Sequence, residues 1–314
     1  MIVTVTPNPS FDRTAGVDHL EAGEVQSVTS TSLEAGGKGI NVARALARAG
    51  HRARSVFPAG TADGGELCDL LSDVPDLDIT VVDTATRIRT NLTIIESSGR
   101  TTKLNEPGPT LDDHHAQNLL GCAAAVSDGV DWIVGSGSLA PGLPIDFYGR
   151  LVESVRGSTT RVAVDSTGDV LRHAVEAGCD LIKPNHEELE GFVGRTLPTL
   201  GDVVDAAQDV RSMGVATVLV SLGGHGAVLV EGDQVTFGAA PSAVVANTVG
   251  AGDSFLAGFL ACGGSGKQGL REALAFGYAK VRSATTDFAP ATDADRDGVS
   301  TTEAIDRTRE VGSV

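Results

Sequence analysis

The sequence predicts an α/β protein in which a largely parallel sheet is covered by helices on both faces, with a small half-exposed sheet projecting from it as a lid. Three observations carry that expectation. Short β-branched runs alternate with helical patterns along most of the chain, and parallel strands need such crossovers, which bury both faces of the sheet. The 39 glycines and only 4% aromatic residues suit many tight strand–helix turns better than an aromatic-rich sandwich. Two stretches, near residues 10–34 and 86–106, break the pattern and alternate polar with apolar side chains.

Taken in order, Ile2 to Val5 is β-branched and stops at Pro7, which reads as a first strand. Ile40 to Ala49 puts Val42, Ala43, Leu46 and Ala47 on one helical face and ends at Gly50. Later strands are expected at Trp132 to Val134, Arg161 to Val164, Leu181-Ile182, Thr217 to Ser221 and Ala227 to Val230. Helical patterns fall between them at Ile145 to Val155, Val170 to Ala177, Glu187 to Phe192 and Leu200 to Met213. In the second irregular stretch, Thr90 to Glu96 alternates and then turns at Ser97-Ser98-Gly99, as antiparallel strands would. With no repeat or low-complexity linker, the 314 residues read as one domain carrying that lid.

A net charge of −17 and a pI near 4.7 exclude nucleic acid and an anionic membrane as partners, since both would be repelled. The few cations near a phosphate site would work against that background, which singles out Lys38, Arg87, Arg89, Lys103 and Lys183. Cys68, Cys122, Cys179 and Cys262 are scattered without zinc-ligand spacing and read as small buried hydrophobes in a reducing compartment. The opening residues form a strand, not a signal peptide, and no apolar run is long enough to span a bilayer, so the cytoplasm is the expected location.

The chemistry concentrates in two glycine turns. Gly250-Ala251-Gly252-Asp253 leads straight into an apolar helix, so free backbone amides can approach a phosphate without Cβ atoms in the way. Asp253 in the first turn could take a proton from an attacking hydroxyl, and the helix start is expected to depress its pKa. On its own the motif fits equally well an Asp that stabilises its own helix start. The second turn, Gly36-Gly37-Lys38-Gly39-Ile40-Asn41, is neither a Walker A loop nor the dinucleotide fingerprint. It could place amides and Lys38 around a sugar hydroxyl or phosphate, or be a mobile turn with an exposed lysine.

Six segments occur in order: Thr6 to Asp12, Gly36 to Asn41, Asn105 to Pro109, Gly135 to Gly142, Lys183 to Glu188 and Thr248 to Asp253. Together they resemble the ribokinase-like (PfkB) sugar kinases, most closely the branch holding 1-phosphofructokinases and tagatose-6-phosphate kinases, to about residue 280. The resemblance implies a three-layer ribokinase-like α/β/α fold with a mostly parallel central sheet and a small β-sheet lid. It implies Asp253 as base beside Gly250, Ala251 and Gly252, and Asp12, Gly37, Lys38, Asn41, Arg89, Lys103 and Ser138 around a sugar phosphate. Arg87 is the alternative to Arg89 as the lid arginine. ATP would lie against Lys183, Asn185, Ser221, Gly223, Gly224, Gly226 and Gly252, with Mg²⁺ organised by Asn185 and Glu188 through water. The bland alternatives are an Asx turn at Asp12 and a first-turn acidic residue at Glu188.

Two segments depart from the pattern. Gly277 to Ala284 carries bulky and charged residues where such kinases are Ala- and Ser-rich beside adenine. Asp293 to Gly298 imitates half an EF-hand loop, but the position of the closing Glu is Ala304, so it reads as a solvated acidic turn. The expected activity is transfer of the ATP γ-phosphoryl group to a phosphorylated ketohexose, with fructose 1-phosphate as acceptor. The rivals are a 6-phosphofructokinase, a tagatose-6-phosphate kinase and, from another class, a non-catalytic sugar-phosphate sensor. The resemblance also implies a homodimer joined through the lids.

Overall fold

The computed structural model describes residues 1–127, 129–283 and 287–312; Ala284, the last residue of the departing helical segment, lies outside them. The chain opens with β1 (Ile2–Val5), β2 (Ser10–Val17), β3 (Ser30–Gly36), α1 (Lys38–Arg48), β4 (Ala53–Ala59), α2 (Thr61–Asp69) and β5 (Leu77–Asp83). It continues with β6 (Arg89–Glu96), β7 (Thr101–Asn105), α3 (Asp113–Ala125), β8 (Trp132–Ser136), α4 (Phe147–Ser154) and β9 (Arg161–Asp165). Then follow α5 (Gly168–Glu176), β10 (Leu181–Ile182), α6 (His186–Val193), α7 (Leu200–Ser212), β11 (Thr217–Ser221), β12 (Ala227–Glu231) and β13 (Gln234–Ala239). The last elements are α8 (Ala251–Ala261), α9 (Gly266–Arg282), α10 (Asp293–Gly298) and β14 (Ser300–Thr302).

The large sheet runs β14-β13-β12-β11-β10-β9-β8-β1-β4-β5. It is parallel from β5 through β11 and antiparallel only along its β12, β13 and β14 end. Its central strands are apolar on both faces because one layer of helices, including α3, α4, α5 and α7, packs on one side and α1, α8 and α9 on the other. In α1 the stripe Val42, Ala43, Leu46 and Ala47 is fully buried as its periodicity requires, and burying Val42 and Leu46 contributes roughly 1.5–3 kcal/mol each.

Parallel strands leave their carboxyl ends along one edge, which gathers Thr6, Ser136, Asp165, Lys183 and Ser221. Ligands of such sheets collect at that edge. Above it stands the second sheet, ordered β3-β2-β6-β7. Its outer pairs are antiparallel, but β2 and β6 pair in parallel, with Ser10 opposite Arg89 and Asp12 opposite Asn91. The alternation expected at 10–34 and 86–106 is real, yet wholly antiparallel pairing is corrected. Both β2 and β6 follow strands of the same parallel sheet, β1 and β5, and leave its edge in the same direction.

Three helices, α1, α5 and α6, begin one or two residues before the apolar periodicity does, because their first positions are polar or glycine, whereas α4 begins two residues after Ile145. β4 lacks a clear strand signal because Pro58 stands inside it, opposite Val82 of β5. Asp293 to Gly298 is a short helix, not a solvated turn. Its Asp295 is buried and accepts hydrogen bonds from Thr292 N at 2.8 Å, Thr292 Oγ1 at 2.7 Å and Arg282 Nη1 at 2.7 Å. Cys179 alone of the cysteines is buried; Cys68, Cys122 and Cys262 are half-buried, and all are free. Among the described residues no helix is long and apolar enough to cross a membrane.

Candidate active site

Asn247 and Gly250 shape the turn that carries Asp253. The Asn247 side-chain oxygen accepts from Val249 N at 2.9 Å, and Gly250 caps α8 in the left-handed region with φ 76°. A Cβ there would lie 2.8 Å from the Phe288 ring, so the position excludes every larger residue. The helix that follows is apolar on all sides and buried between α1 and α9. It draws Asp253, in its first turn, down to 6% exposure.

Asn41 Nδ2 donates to Asp253 Oδ2 at 2.8 Å. Burial, and next the nearby Asp165 carboxylate, push the Asp253 pKa up to about 6, against the pull of Asn41, Lys38 and Lys183. The expected depression by the helix start is therefore overturned. Desolvation of the carboxylate and a like charge outweigh the helix terminus.

Asp165, at the carboxyl end of β9, is fully buried and holds two cations: Lys38 Nζ at 3.1 Å and Lys183 Nζ at 3.4 Å. Burial alone would raise its pKa; Lys183 and then Lys38 more than offset this and keep it ionised. For Lys38, burial favours the neutral amine, but Asp165, Glu188 and Asp253 together hold it above its ordinary value. Sequence reasoning missed Asp165, because a single Asp after Val162-Ala163-Val164 looks like an ordinary strand end.

These groups line a cavity of about 470 Å³ together with Asn185, Glu188, Ser221, Gly223, Gly250 and Gly252. Asn185 caps α6, accepting from Glu188 N at 2.7 Å, and Glu188 Oε2 accepts from Asn185 N at 2.9 Å. This reciprocal cap is the structural role of the Asn-x-x-Glu spacing. It leaves Glu188 Oε1 facing the cavity, 3.8 Å from Lys38 Nζ. Gly252 is exposed, and Lys183 Nζ lies 3.6 Å from where its Cβ would be, so backbone and ammonium face the same space. Ala251 is half-buried beside it.

A second cluster sits under the lid. Asp12 Oδ1 accepts from Ser10 Oγ at 2.7 Å and Asn91 Nδ2 at 3.0 Å, inside the ladder and not in an Asx turn. Gly36, opposite Ser10 on β3, leaves room for this carboxylate, since a Cβ there would lie 2.3 Å from Asp12 Cγ. Arg89 donates to Asn8 O and to Glu106 O, both at 3.1 Å, while its Nε is buried without a partner. Asn8 Nδ2 in turn reaches Ser138 Oγ at 3.4 Å. The segment Gly36 to Asn41 joins the clusters: Gly36 meets Asp12, Gly37 turns with φ 117° as the cap of α1, Lys38 meets Asp165 and Asn41 meets Asp253.

Not every expected residue arrives. Lys103 is exposed on β7 opposite Thr93, four ladder positions or roughly 13 Å from Arg89. Arg87 is 94% exposed, 4.0 Å from Asp63. Gly224 is exposed in the 3-10 turn Gly223–His225, where a Cβ would meet open space, and Gly226 packs against Gly238 O; neither lines the cavity. Asp165 and Asn91 join these clusters although the sequence reading gives them no role, and Asn8 and Ser10, inside the Thr6 to Asp12 segment, are likewise given none. Asn91 carried a faint signal, a polar side chain two positions from Arg89 on the same strand face.

The pfkB family carbohydrate kinase pattern matches residues 6–286. The chain belongs to the pfkB family of carbohydrate kinases. It is thus a phosphotransferase with a sugar-alcohol acceptor and ATP as donor. It is 35% identical to a 1-phosphofructokinase of Rhodobacter capsulatus, over 82% of each chain. It is 34% identical to the ATP-dependent 6-phosphofructokinase isozyme 2 of Escherichia coli, over 90% of this chain and 92% of that one. A crystal structure of phosphofructokinase-2 from Escherichia coli in complex with potassium superposes with a TM-score of 0.87 at 33% identity, covering 94% and 96% of the two chains. The ribokinase-like architecture expected from the motifs is therefore the observed one.

Proposed function

We propose that this kinase phosphorylates fructose 1-phosphate to fructose 1,6-bisphosphate. The observation that carries the kinase chemistry is the pair of half-buried Asn41 and buried Asp253 at the mouth of a glycine turn that faces Lys38 and Lys183. The choice of acceptor is supported by relatives named 1-phosphofructokinase in Rhodobacter capsulatus, Haloferax volcanii and Bacillus subtilis at 32–37% identity. Fructose 6-phosphate is the second reading, favoured by the likeness to the Escherichia coli isozyme 2. Tagatose 6-phosphate is a third acceptor on the same scaffold.

In this reading the acceptor hydroxyl oxygen bonds to the γ-phosphorus, the bond to the departing ADP oxygen breaks, and the hydroxyl proton passes to Asp253. A pKa of about 6 leaves Asp253 ionised at neutral pH and more basic than a free carboxylate at 3.8. The amides around Gly250, Ala251 and Gly252 hold the transferring oxygens, which suits a loose phosphoryl transition state that asks mainly for positioning. Asp12, Gly37, Asn41 and Ser138 hold the sugar. Arg89 grips the substrate phosphate, and Lys38 stands between it and the transferring group. Lys183, Asn185, Ser221 and Gly223 border ATP.

The residues fit a hydrated Mg²⁺. Asp165 Oδ2 is a buried carboxylate oxygen without a partner, and Glu188 Oε1 is left over from the cap. Mg²⁺ keeps most of its waters, and among the described residues no cluster of three acidic, His or Cys side chains could hold it alone. Glu188 and Asn185, through water, are the side chains we assign to it. When bound it supplies charge neutralisation of the phosphates.

We further propose a homodimer through the lids, whose outer strands β3 and β7 are unpaired edges and whose Ile95 and Leu104 are 41% and 55% exposed. The four free cysteines agree with a reducing cytoplasm. Purified protein with ATP and Mg²⁺ against fructose 1-phosphate, fructose 6-phosphate and tagatose 6-phosphate tests the acceptor. The highest kcat/KM should belong to fructose 1-phosphate, and preference for another sugar overturns that assignment. Sedimentation tests the dimer.

A further inference from the structure

The parallel sheet has a second end, and it also carries a cleft. At the amino-terminal edge, across the sheet from Asp253, a cavity of about 300 Å³ is lined by residues that include His51, Arg52, Trp132, Arg161, Ala261 and Gly263. Its floor is built. The Arg161 guanidinium carbon lies 4.1 Å from the centroid of the Trp132 ring, and Arg161 Nη2 donates to Gly263 O at 3.0 Å. Trp132 Nε1 donates to the same carbonyl at 3.4 Å. Gly264, with φ +71°, follows so closely that a Cβ would stand 2.5 Å from the indole. The stack of indole on guanidinium is therefore clamped from below.

The charge balance of this cleft runs against that of the whole chain. Asp131, its carboxylate, is occupied by the amino group of Met1 at 2.8 Å. Arg52 reaches Asp78 at 3.0 Å, but Arg54 shares the same oxygen at 3.2 Å, so two guanidiniums divide one carboxylate. Among the described residues no carboxylate pairs with Arg161. Gly263 O, at the carbonyl end of α8, is already taken by two donors and repels an incoming anion less than a bare helix terminus would. What remains is a concave surface with free guanidinium N–H groups on a protein of net charge −17.

We propose that this cleft binds a small phosphate-bearing anion, held by Arg161 and Arg52 over the Trp132 floor. The planar, weakly hydrated guanidinium matches phosphate geometry better than a lysine would, and stacking on Trp132 fixes its plane before the ligand arrives. The cleft is separate from the ATP cavity but shares two elements with it. β9 begins at Arg161 and ends at Asp165, and α8 begins beside Asp253 and ends at Ala261.

Trp132 is the only tryptophan in the chain, so its emission reports on the cleft directly. The intact protein is titrated with inorganic phosphate, and separately with glycerol 3-phosphate, against sodium chloride at matched ionic strength. A saturable change in emission with either phosphate species, absent with chloride, is expected, and the better-bound species identifies free phosphate or an ester as the ligand. Arg161→Met and Arg52→Met should each weaken the half-saturation about tenfold, the loss of one charge-assisted contact, while kcat and the KM for ATP change by less than about twofold. Because Arg161→Met also alters the indole surroundings, Arg52→Met followed by calorimetry gives the second reading. The proposal is overturned if wild-type emission responds to phosphate no differently from chloride, or if Arg52→Met binds phosphate as tightly as wild type.

Discussion

Asn41 Nδ2 lies 2.8 Å from Asp253 Oδ2, and this one contact joins the two glycine turns of the chain. Asn41 belongs to the first turn of α1, Asp253 to the first turn of α8, and both helices begin at a glycine with positive φ. The proposed base is thus held by an uncharged donor, whose pull on the pKa is outweighed by burial and by Asp165.

The acid limb of the pH–rate profile follows from that arrangement. With Asp253 as the proposed base, only its carboxylate form is active, so kcat/KM should fall as pH drops through about 6. Asn41→Leu removes a hydrogen bond to the ionised form and should move this limb upward by roughly one pH unit. Rate profiles between pH 5 and 9 check both statements; an unmoved limb would detach Asn41 from the base.

Asp253→Asn should abolish turnover and leave ATP binding intact, and it should also stabilise the fold. The folded-state pKa stands above the ordinary 3.8, at about 6, so the native state binds the extra proton between those values. The ionised form is therefore a destabilisation, absent below pH 3.8 and fully present above about pH 6, on the order of 2–3 kcal/mol. The variant should melt a few degrees higher than wild type at pH 8, and the gap should close progressively as pH falls from about 6 towards 3.8. Equal melting temperatures at pH 8 would contradict the burial argument.

Much of this site was legible in the chain because its parts are short and local. Gly250 to Asp253 and Gly36 to Asn41 each pair a glycine turn with a helix start, and Asn185 with Glu188 is a spacing rule that a cap enforces. Asp165 was not legible, since its partners Lys38 and Lys183 are distant in sequence and only the sheet brings the three together. The sign of the Asp253 shift was hidden for the same reason: the carboxylate that raises it sits on another strand. The parallel pairing of β2 with β6 was equally invisible, because strand alternation gives the faces of a sheet but not its directions.

Asp165→Asn tests that hidden residue. It leaves Lys38 and Lys183 close together with no carboxylate between them, and breaking a buried pair in this way costs about 3–5 kcal/mol. It also removes the like charge that raises Asp253, so the acid limb should shift downward in whatever enzyme remains folded. A thermal melt and a pH–rate profile of one preparation read both effects. An acid limb at or above the wild-type position would exclude Asp165 as a source of the Asp253 shift.

Gly36→Ala separates the sugar side of the site from the nucleotide side. The new methyl group would stand 2.3 Å from Asp12 Cγ and 2.4 Å from both its oxygens. Asp12 cannot simply yield, since Ser10 and Asn91 hold its Oδ1 within the ladder at 2.7 and 3.0 Å. The carboxylate must turn away, and on the proposed role of Asp12 it loses contacts to sugar hydroxyls worth about 1.5–3 kcal/mol, so the KM for the sugar phosphate should rise at least about tenfold. The KM for ATP should stay near wild type, because Gly36 does not line the nucleotide cavity. Equal increases in both constants would mean that the lid and the ATP cavity move as one, and Asp12 would lose its assignment to the sugar.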